Sequence, residues 1–441
     1  MNVVSPPRDV DLVIHARHVV PVEPAGVLEH HSLVVDQGRI VALVPSNAVA
    51  ASFAPRRVVD LPTHVLMPGF VNAHAHSAMT LLRGVADDLP LKAWLERNIW
   101  PREGQHLSPE FVRDGTLLAC AEMLAGGITC CNDMYFYPDA SARAYEEAGV
   151  RAMLGLPVLD FPSPYAPDAD GYLRAGLAAR DLHRNNRRLA FSLAPHAPYT
   201  VGDSTFAKIV TFARELDLPI QTHLQETRAE LDDALAATGM TPLARLDRLG
   251  VTGPAFVAIH AVHPGPGDIE ILARRSSHVV HCPASNMKLA SGVAPVAAYL
   301  AAGINVALGT DGAASNNRID LFGEMRLASL LAKVTSGDAS VLPADAVLRM
   351  ATLGGARAIG LESRIGSLEP GKDADAIAID LASPALAPCY DPVSHLVHAA
   401  GREDVTDVWV EGERLVESGA LARLDAAALV ARAALWRDRI A

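Results

Sequence analysis

Cysteine is scarce and unpatterned in this chain. There are five in 441 residues, Cys120, Cys130, Cys131, Cys282 and Cys389, and no CxxC pair. Adjacent Cys130 and Cys131 would face opposite sides of a strand. That spacing excludes a disulfide framework or a thiolate metal site and fits reduced thiols, mostly buried, in the cytoplasm. Positive charge is also in deficit: 38 Lys and Arg stand against 50 Asp and Glu, a formal net charge of −12. Nucleic acid is therefore excluded as a partner, because phosphate binding needs clustered cations. Long apolar runs are missing too. The most apolar stretch, "APVAAYLAAGINVALG", is too short to span a bilayer and is broken by Gly303 and Asn305, so no membrane partner is expected. The start, "MNVVSPPRDVDLVIHARHVV", has no basic segment leading into an apolar one and reads as no signal peptide. There is no GxGxxG turn, low-complexity tract or fixed-period repeat.

What is present is a globular composition, half hydrophobic and one fifth charged, over a length that suits more than one domain. The two ends are alike. "HSLVVDQGRIVAL" and "DVWVEGERLVES" both read as strand, tight turn with glycine, strand, and "IGSLEPGKDADAIAIDL" reads as another hairpin-like piece. These pieces predict a small β-sandwich assembled from 1–66 and 366–420. The closing "DAAALVARAALWRDRIA" predicts an amphipathic C-terminal helix within 421–441.

Between the ends, over 67–365, short β-branched runs alternate with helical stretches. The candidate strands are "HVLMPGFVNAH", "GITCCNDM", "VRAMLGLPVLD", "LAFSLAPH", "PIQTHLQE", "AFVAIHAVH", "HVVHCPAS" and "NVALGTDG". Eight β–α units over about 300 residues fit a closed (β/α)8 barrel of the TIM type, so the fold class expected is α/β. An open doubly wound sheet is the rival, and the missing glycine-rich turn weighs against it.

Metal-capable side chains gather at the C-terminal ends of these strands: His74 and His76, His196, His223, His260 with His263, His281, and Asp311. That rim is where barrel enzymes carry their chemistry. An isolated HxH reads more readily as one buried and one surface histidine, but scattered structural histidines have no reason to favour strand ends. A catalytic metal needs several protein ligands and an open position. His74, His76, His223 and Asp311 are the candidates for one divalent ion; nitrogen and carboxylate donors without sulfur suit Zn2+, with Fe2+ or Mn2+ as alternatives. Glu226, three residues after His223, is the candidate general acid and base. His260 is read as a hydrogen-bonding partner of the nucleophile, and Asp311 as a proton relay that also touches the metal. His263 and His281 are read as supporting residues.

The set "NAHAH", "THLQE", "IHAVH" and "LGTDGAASNN" resembles the amidohydrolase superfamily. More narrowly, "HAHSAMTLLRGVADDLPLKAWL", "APHAPYT", "PASNMKL" and "GTDGAASNN" resemble the 5-methylthioadenosine/S-adenosylhomocysteine deaminases, over essentially the whole chain. The resemblance implies the same four ligands, with Glu226 as proton shuttle. It also implies that Trp94 and Glu103 meet a nucleoside sugar, that His196 meets the purine, and that Ser315 lies near the base. The implied reaction is hydrolytic deamination at C6 of adenine, with N1 protonated by Glu226 and ammonia leaving. Family members that hold the homocysteine carboxylate use arginines after the third strand, where this chain has Leu156 and Tyr172, with Arg174 as a substitute candidate. A bidentate arginine is a strong carboxylate anchor, so 5-methylthioadenosine is expected ahead of adenosine, and S-adenosylhomocysteine is disfavoured. Rival readings are a guanine, aminopurine or pteridine deaminase, a triazine hydrolase, and a non-catalytic barrel scaffold. A binuclear cyclic amidase is weaker, since its bridging lysine is replaced by His196. A homo-oligomer, dimer or tetramer, is expected.

Overall fold

The computed structural model describes residues 6–441. Sixteen strands form two eight-stranded sheets among these residues. The first sheet draws on both chain ends. From the start come β1 (Arg8–Val19), β2 (Leu28–Asp36), β3 (Arg39–Pro45) and β4 (Phe53–Pro68). The barrel strands are β5 (Phe70–Ala75), β6 (Ile128–Met134), β7 (Arg151–Val158), β8 (Leu189–Pro195), β9 (Ile220–Leu224), β10 (Phe256–His260), β11 (His278–His281) and β12 (Asn305–Leu308). The end of the chain returns β13 (Ala376–Asp380), β14 (Val405–Val410), β15 (Glu413–Glu417) and β16 (Ala420–Leu421) to the first sheet.

The two terminal hairpins form for a local reason. Gln37 and Gly38 have φ of 50° and 76°, and Glu411 and Gly412 have φ of 50° and 72°. Two successive left-handed residues make the turn whose twist matches that of its strands. β4 then stitches the halves together, parallel to β1 and antiparallel to β13. The stretch "IGSLEPGKDADAIAIDL" is not a hairpin. Only its end forms a strand, β13, while the preceding backbone hydrogen-bonds out to residues 38 and 40 of the N-terminal hairpin. Nor is "HVLMPGFVNAH" one strand. It breaks at Gly69, whose N–H goes to the Asp375 carbonyl while that of Phe70 goes to Gly127. A Cβ at Gly69 would lie 2.1 Å from Thr129 Oγ1, so a glycine is needed where the chain leaves one sheet for the other.

The barrel follows chain order from β5 to β12, and every residue of β5, β6 and β7 is buried. Helices cover one face and packed interior side chains the other, which is why these runs are apolar without alternation. At the seam, Asp311 N–H donates to the His74 carbonyl at 3.0 Å, so the barrel closes through two of the candidate ligands. Beneath, at the foot of β7, Arg151 reaches Asp375 at 3.0 Å and Asp373 at 3.1 Å. That buried ion pair joins barrel to terminal sheet at the end away from the rim. The helix Ala426–Ile440 packs back by Trp436, whose Nε1–H donates to Asp114 at 2.9 Å. No helix among the described residues is long and apolar enough to cross a membrane.

Candidate active site

Strand ends deliver the candidate residues to one spot. In β5 and just beyond it, His74 and His76 point the same way, as alternation requires. His223 comes from β9, His260 from the end of β10, and Asp311 from just after β12. The backbone is bent to do this: Gln225, His260, Ala261 and Asp311 have φ of 49°, 69°, 43° and 59°. Left-handed conformations at non-glycine residues are strained, and they persist where the surroundings over-determine them.

The Nε2 atoms of His74 and His76 lie 3.3 and 3.2 Å from Asp311 Oδ1. His223 Nε2 lies 3.3 Å from both histidines' Nε2. Ligand atoms set tetrahedrally about 2.0–2.1 Å from a zinc-sized ion would be about 3.3–3.4 Å apart, so the donor set fits one metal ion. His260 also presents a nitrogen within 4.8 Å of its counterparts on His74, His223 and Asp311. Five side chains thus border one point. Contacts of 3.2–3.3 Å run around His74, His76, His223 and Asp311, while the group whose ligand atoms all lie within 4.8 Å of one another is His74, His223, His260 and Asp311. Hydrogen bonds on the far sides of the rings free the Nε2 atoms: His76 Nδ1–H donates to the Met134 carbonyl, and His223 Nδ1–H to that of His196 at 2.8 Å. Burial pushes His74 down to about 3 and His223 well below its usual range. Both stay neutral, with a lone pair to offer. Asp311 Oδ2 accepts from Ser285 at 2.6 Å and Ser315 at 2.8 Å. Burial opposes its charge, but its close contacts with the His74 and His76 rings outweigh that and hold it well below the carboxylate range.

Glu226 stands beside this ring without joining it. Its Oε2 lies 3.8 Å from His260 Nε2, and its Oε1 accepts from Ser291 Oγ at 3.4 Å. Burial raises its pKa. Asn286 Oδ1 accepts from His260 Nδ1 at 2.9 Å. His263 donates to the Ser291 carbonyl at 2.6 Å and so supports the loop that touches Glu226. His281 is buried, and its Nδ1 has no partner among the described residues.

Above the ring opens a cavity of about 180 Å³. Trp94, Glu103, His196, Glu226, His260 and Ser315 all line it, together with His76, His223 and Asp311. His196 Nδ1 is taken by Thr200 Oγ1 at 3.1 Å, leaving Nε2 as the ring's remaining polar atom. Burial pushes His196 down to about 4, so it too is neutral. Ser315 borders the cavity with its hydroxyl committed to Asp311. The Trp94 Nε1–H is buried without a partner among the described residues. A π-helical turn, Leu95–Ile99, links Trp94 to the helix Trp100–His106 that carries Glu103, and such turns recur at functional sites. Most of the rest of the wall is apolar, including Leu91, Leu95, Trp100, Leu159 and Phe161; Tyr135, Ser163 and Tyr199 also border it, and no lysine or arginine does. Leu156 and Tyr172 are buried in the core, and Arg174 is exposed on the helix Ala169–His183. Arg174 does not stand in for the missing carboxylate anchors, because its helix turns it to solvent.

Sequence reasoning missed four residues here: Tyr135, Asp133, Ser285 and Asn286. Tyr135 O–H donates to Glu103 Oε1 at 2.6 Å, and Asp133 accepts from the N–H of Ser77, next to His76, at 2.9 Å. Asp133 and Tyr135 sit at or just past the end of β6, as a rim search by strand position would have found. Ser285 and Asn286 lie in "PASN", quoted for the resemblance but given no role.

Comparison with known proteins adds to this. The model of the Amidohydrolase family matches residues 65–415. A 5-methylthioadenosine/S-adenosylhomocysteine deaminase of Saccharophagus degradans is 46% identical over 98% of this chain and 97% of its own length. The crystal structure of an adenosine deaminase from Xanthomonas campestris, with bound zinc, superposes with a TM-score of 0.97 at 48% identity, covering 99% of each chain. A triazine hydrolase variant superposes with a TM-score of 0.90 at 25% identity, over 97% of this chain and 99% of its own.

Proposed function

The chain belongs to the amidohydrolase family, and from that membership we propose that it is a metal-dependent deaminase of adenine ribosides, 5-methylthioadenosine first and adenosine next. The observation that carries the substrate reading is the cavity: besides Glu226 at the His/Asp ring it holds a second buried carboxylate, Glu103, on a mostly apolar wall with no lysine or arginine. A purine riboside with a neutral 5′ group matches that pattern. Guanine has no sugar for Glu103 to meet, and triazine hydrolases enter only at 25% identity.

His74, His76, His223 and Asp311 would hold one divalent ion, for which zinc is our choice and iron or manganese the alternatives. When bound, such an ion lowers the pKa of water from about 15.7 to about 7 and so supplies a nucleophile at neutral pH. Glu226 takes the proton that the attacking water gives up and hands it to purine N1. His260, anchored through Asn286, steadies charge developing at C6. The remaining proton of the added hydroxyl passes to the amino group, the C6–N bond breaks, ammonia leaves, and water's oxygen remains as the new carbonyl. Glu103 accepts from the ribose hydroxyls, and Trp94 lines the same cavity. The unpaired cysteines support a cytoplasmic setting; a homo-oligomer remains part of the proposal, and sedimentation measures it.

Ammonia release from 5-methylthioadenosine, adenosine, S-adenosylhomocysteine, guanine and melamine tests the reading. S-adenosylhomocysteine should fall about 10- to 100-fold below 5-methylthioadenosine in kcat/KM, the equivalent of one missing charge-assisted contact. Faster turnover of guanine or melamine would overturn the assignment. Glu103→Ala should lose about 100-fold in kcat/KM on ribosides and far less on free adenine. Equal losses would remove Glu103 from sugar binding.

A further inference from the structure

Glu103 does not meet the cavity alone. Tyr135 follows Met134, the last residue of β6, so the strand end that offers a carbonyl to His76 also sets the tyrosine beside Glu103 in the cavity wall. The ring is 5% exposed and packs edge-on to Phe136, with centroids 5.4 Å apart. Its O–H donates to Glu103 Oε1 at 2.6 Å, while Glu103 Oε2 makes no hydrogen bond among the described residues.

We infer that Tyr135 is a positioning residue for sugar recognition: its phenol fixes Glu103 Oε1 and so presents the carboxylate's remaining lone pairs to a vicinal diol. This rests on the riboside reading above. A carboxylate has about four acceptor positions; the phenol occupies one and leaves enough for two hydroxyls. Without it the side chain is free to turn, and an unfixed acceptor loses the geometry a cis-diol requires. Ionisation points the same way. Burial pushes Glu103 up to about 7, and the phenol's hydrogen bond opposes that rise. A protonated carboxyl would spend one oxygen as a donor, so the tyrosine also favours the form that accepts from both hydroxyls.

A plain core role for Tyr135 makes a different prediction, so a double-mutant cycle separates the two. Tyr135→Phe, Glu103→Ala and the double variant would be assayed with adenosine and with 2′,3′-dideoxyadenosine. Tyr135→Phe should raise KM for adenosine about 10-fold with kcat nearly unchanged, and leave dideoxyadenosine unaffected. In the Glu103→Ala background it should change neither substrate, since its effect runs through that carboxylate. Equal losses on both nucleosides, or additive losses in the double variant, would overturn the inference while leaving the riboside reading intact. If Glu103→Ala itself fails to discriminate the two nucleosides, the riboside reading fails and the inference with it.

Discussion

Glu226→Gln should keep its metal and lose turnover by about 10²- to 10⁴-fold, the range for removing a positioned general acid and base. The amide fills the same volume and can still accept from Ser291 Oγ, 3.4 Å from Oε1 in the parent protein. It cannot take up a proton. The carboxylate is not one of the four atoms in the 3.2–3.3 Å ring, so bound metal should stay at the parent level. KM should move little, because the lost interaction belongs to the transition state. Metal content by emission spectroscopy and kcat from ammonia release measure the two halves separately. Parent-like rates would take Glu226 out of the mechanism; lost metal would make it a ligand.

Removing the ion should reduce both activity and stability. Dialysis against a strong chelator is expected to bring ammonia release to background and to lower the unfolding temperature. An ion free at 1,000 times its dissociation constant stabilises the folded state by about 4 kcal/mol, and that contribution vanishes with it. Asp311 makes the loss larger. It is held ionised deep in the barrel, where burial opposes its charge and keeps neighbouring His74 and His223 neutral, so removing the ion takes away the strongest compensation for a buried charge. Adding back zinc, iron or manganese one at a time ranks the metals by recovered turnover. Asp311→Ala should not recover with any of them. Full activity in protein shown to be free of metal would end the proposal.

Much of this was legible in the sequence because its signals are local. β-branched runs followed by helical stretches state a parallel barrel, and Gln37–Gly38 and Glu411–Gly412 state their hairpin turns in two residues each. An HxH at a strand end shows its shared face without any tertiary contact. The pieces that went unread depend on distant partners. The run ending in His74 looked like one strand because its hydropathy is continuous; it breaks at Gly69 because Thr129, sixty residues on, leaves no room for a Cβ. The stretch before Ala376 looked like a hairpin because its turn residues fit one, yet its backbone pairs with residues 38 and 40.

The amino-acid order alone determined the barrel, the two-ended sheet and which strand ends carry histidine and aspartate, since periodicity and turn chemistry are set within a few residues. Tertiary structure decided what those groups touch: Tyr135 on Glu103, Asn286 on His260, and Ser285 and Ser315 on Asp311. Hydrogen bonds need a match of tenths of an ångström between loops, three of these four joining residues 26 or more positions apart. Only the packed barrel brings those loops to that distance.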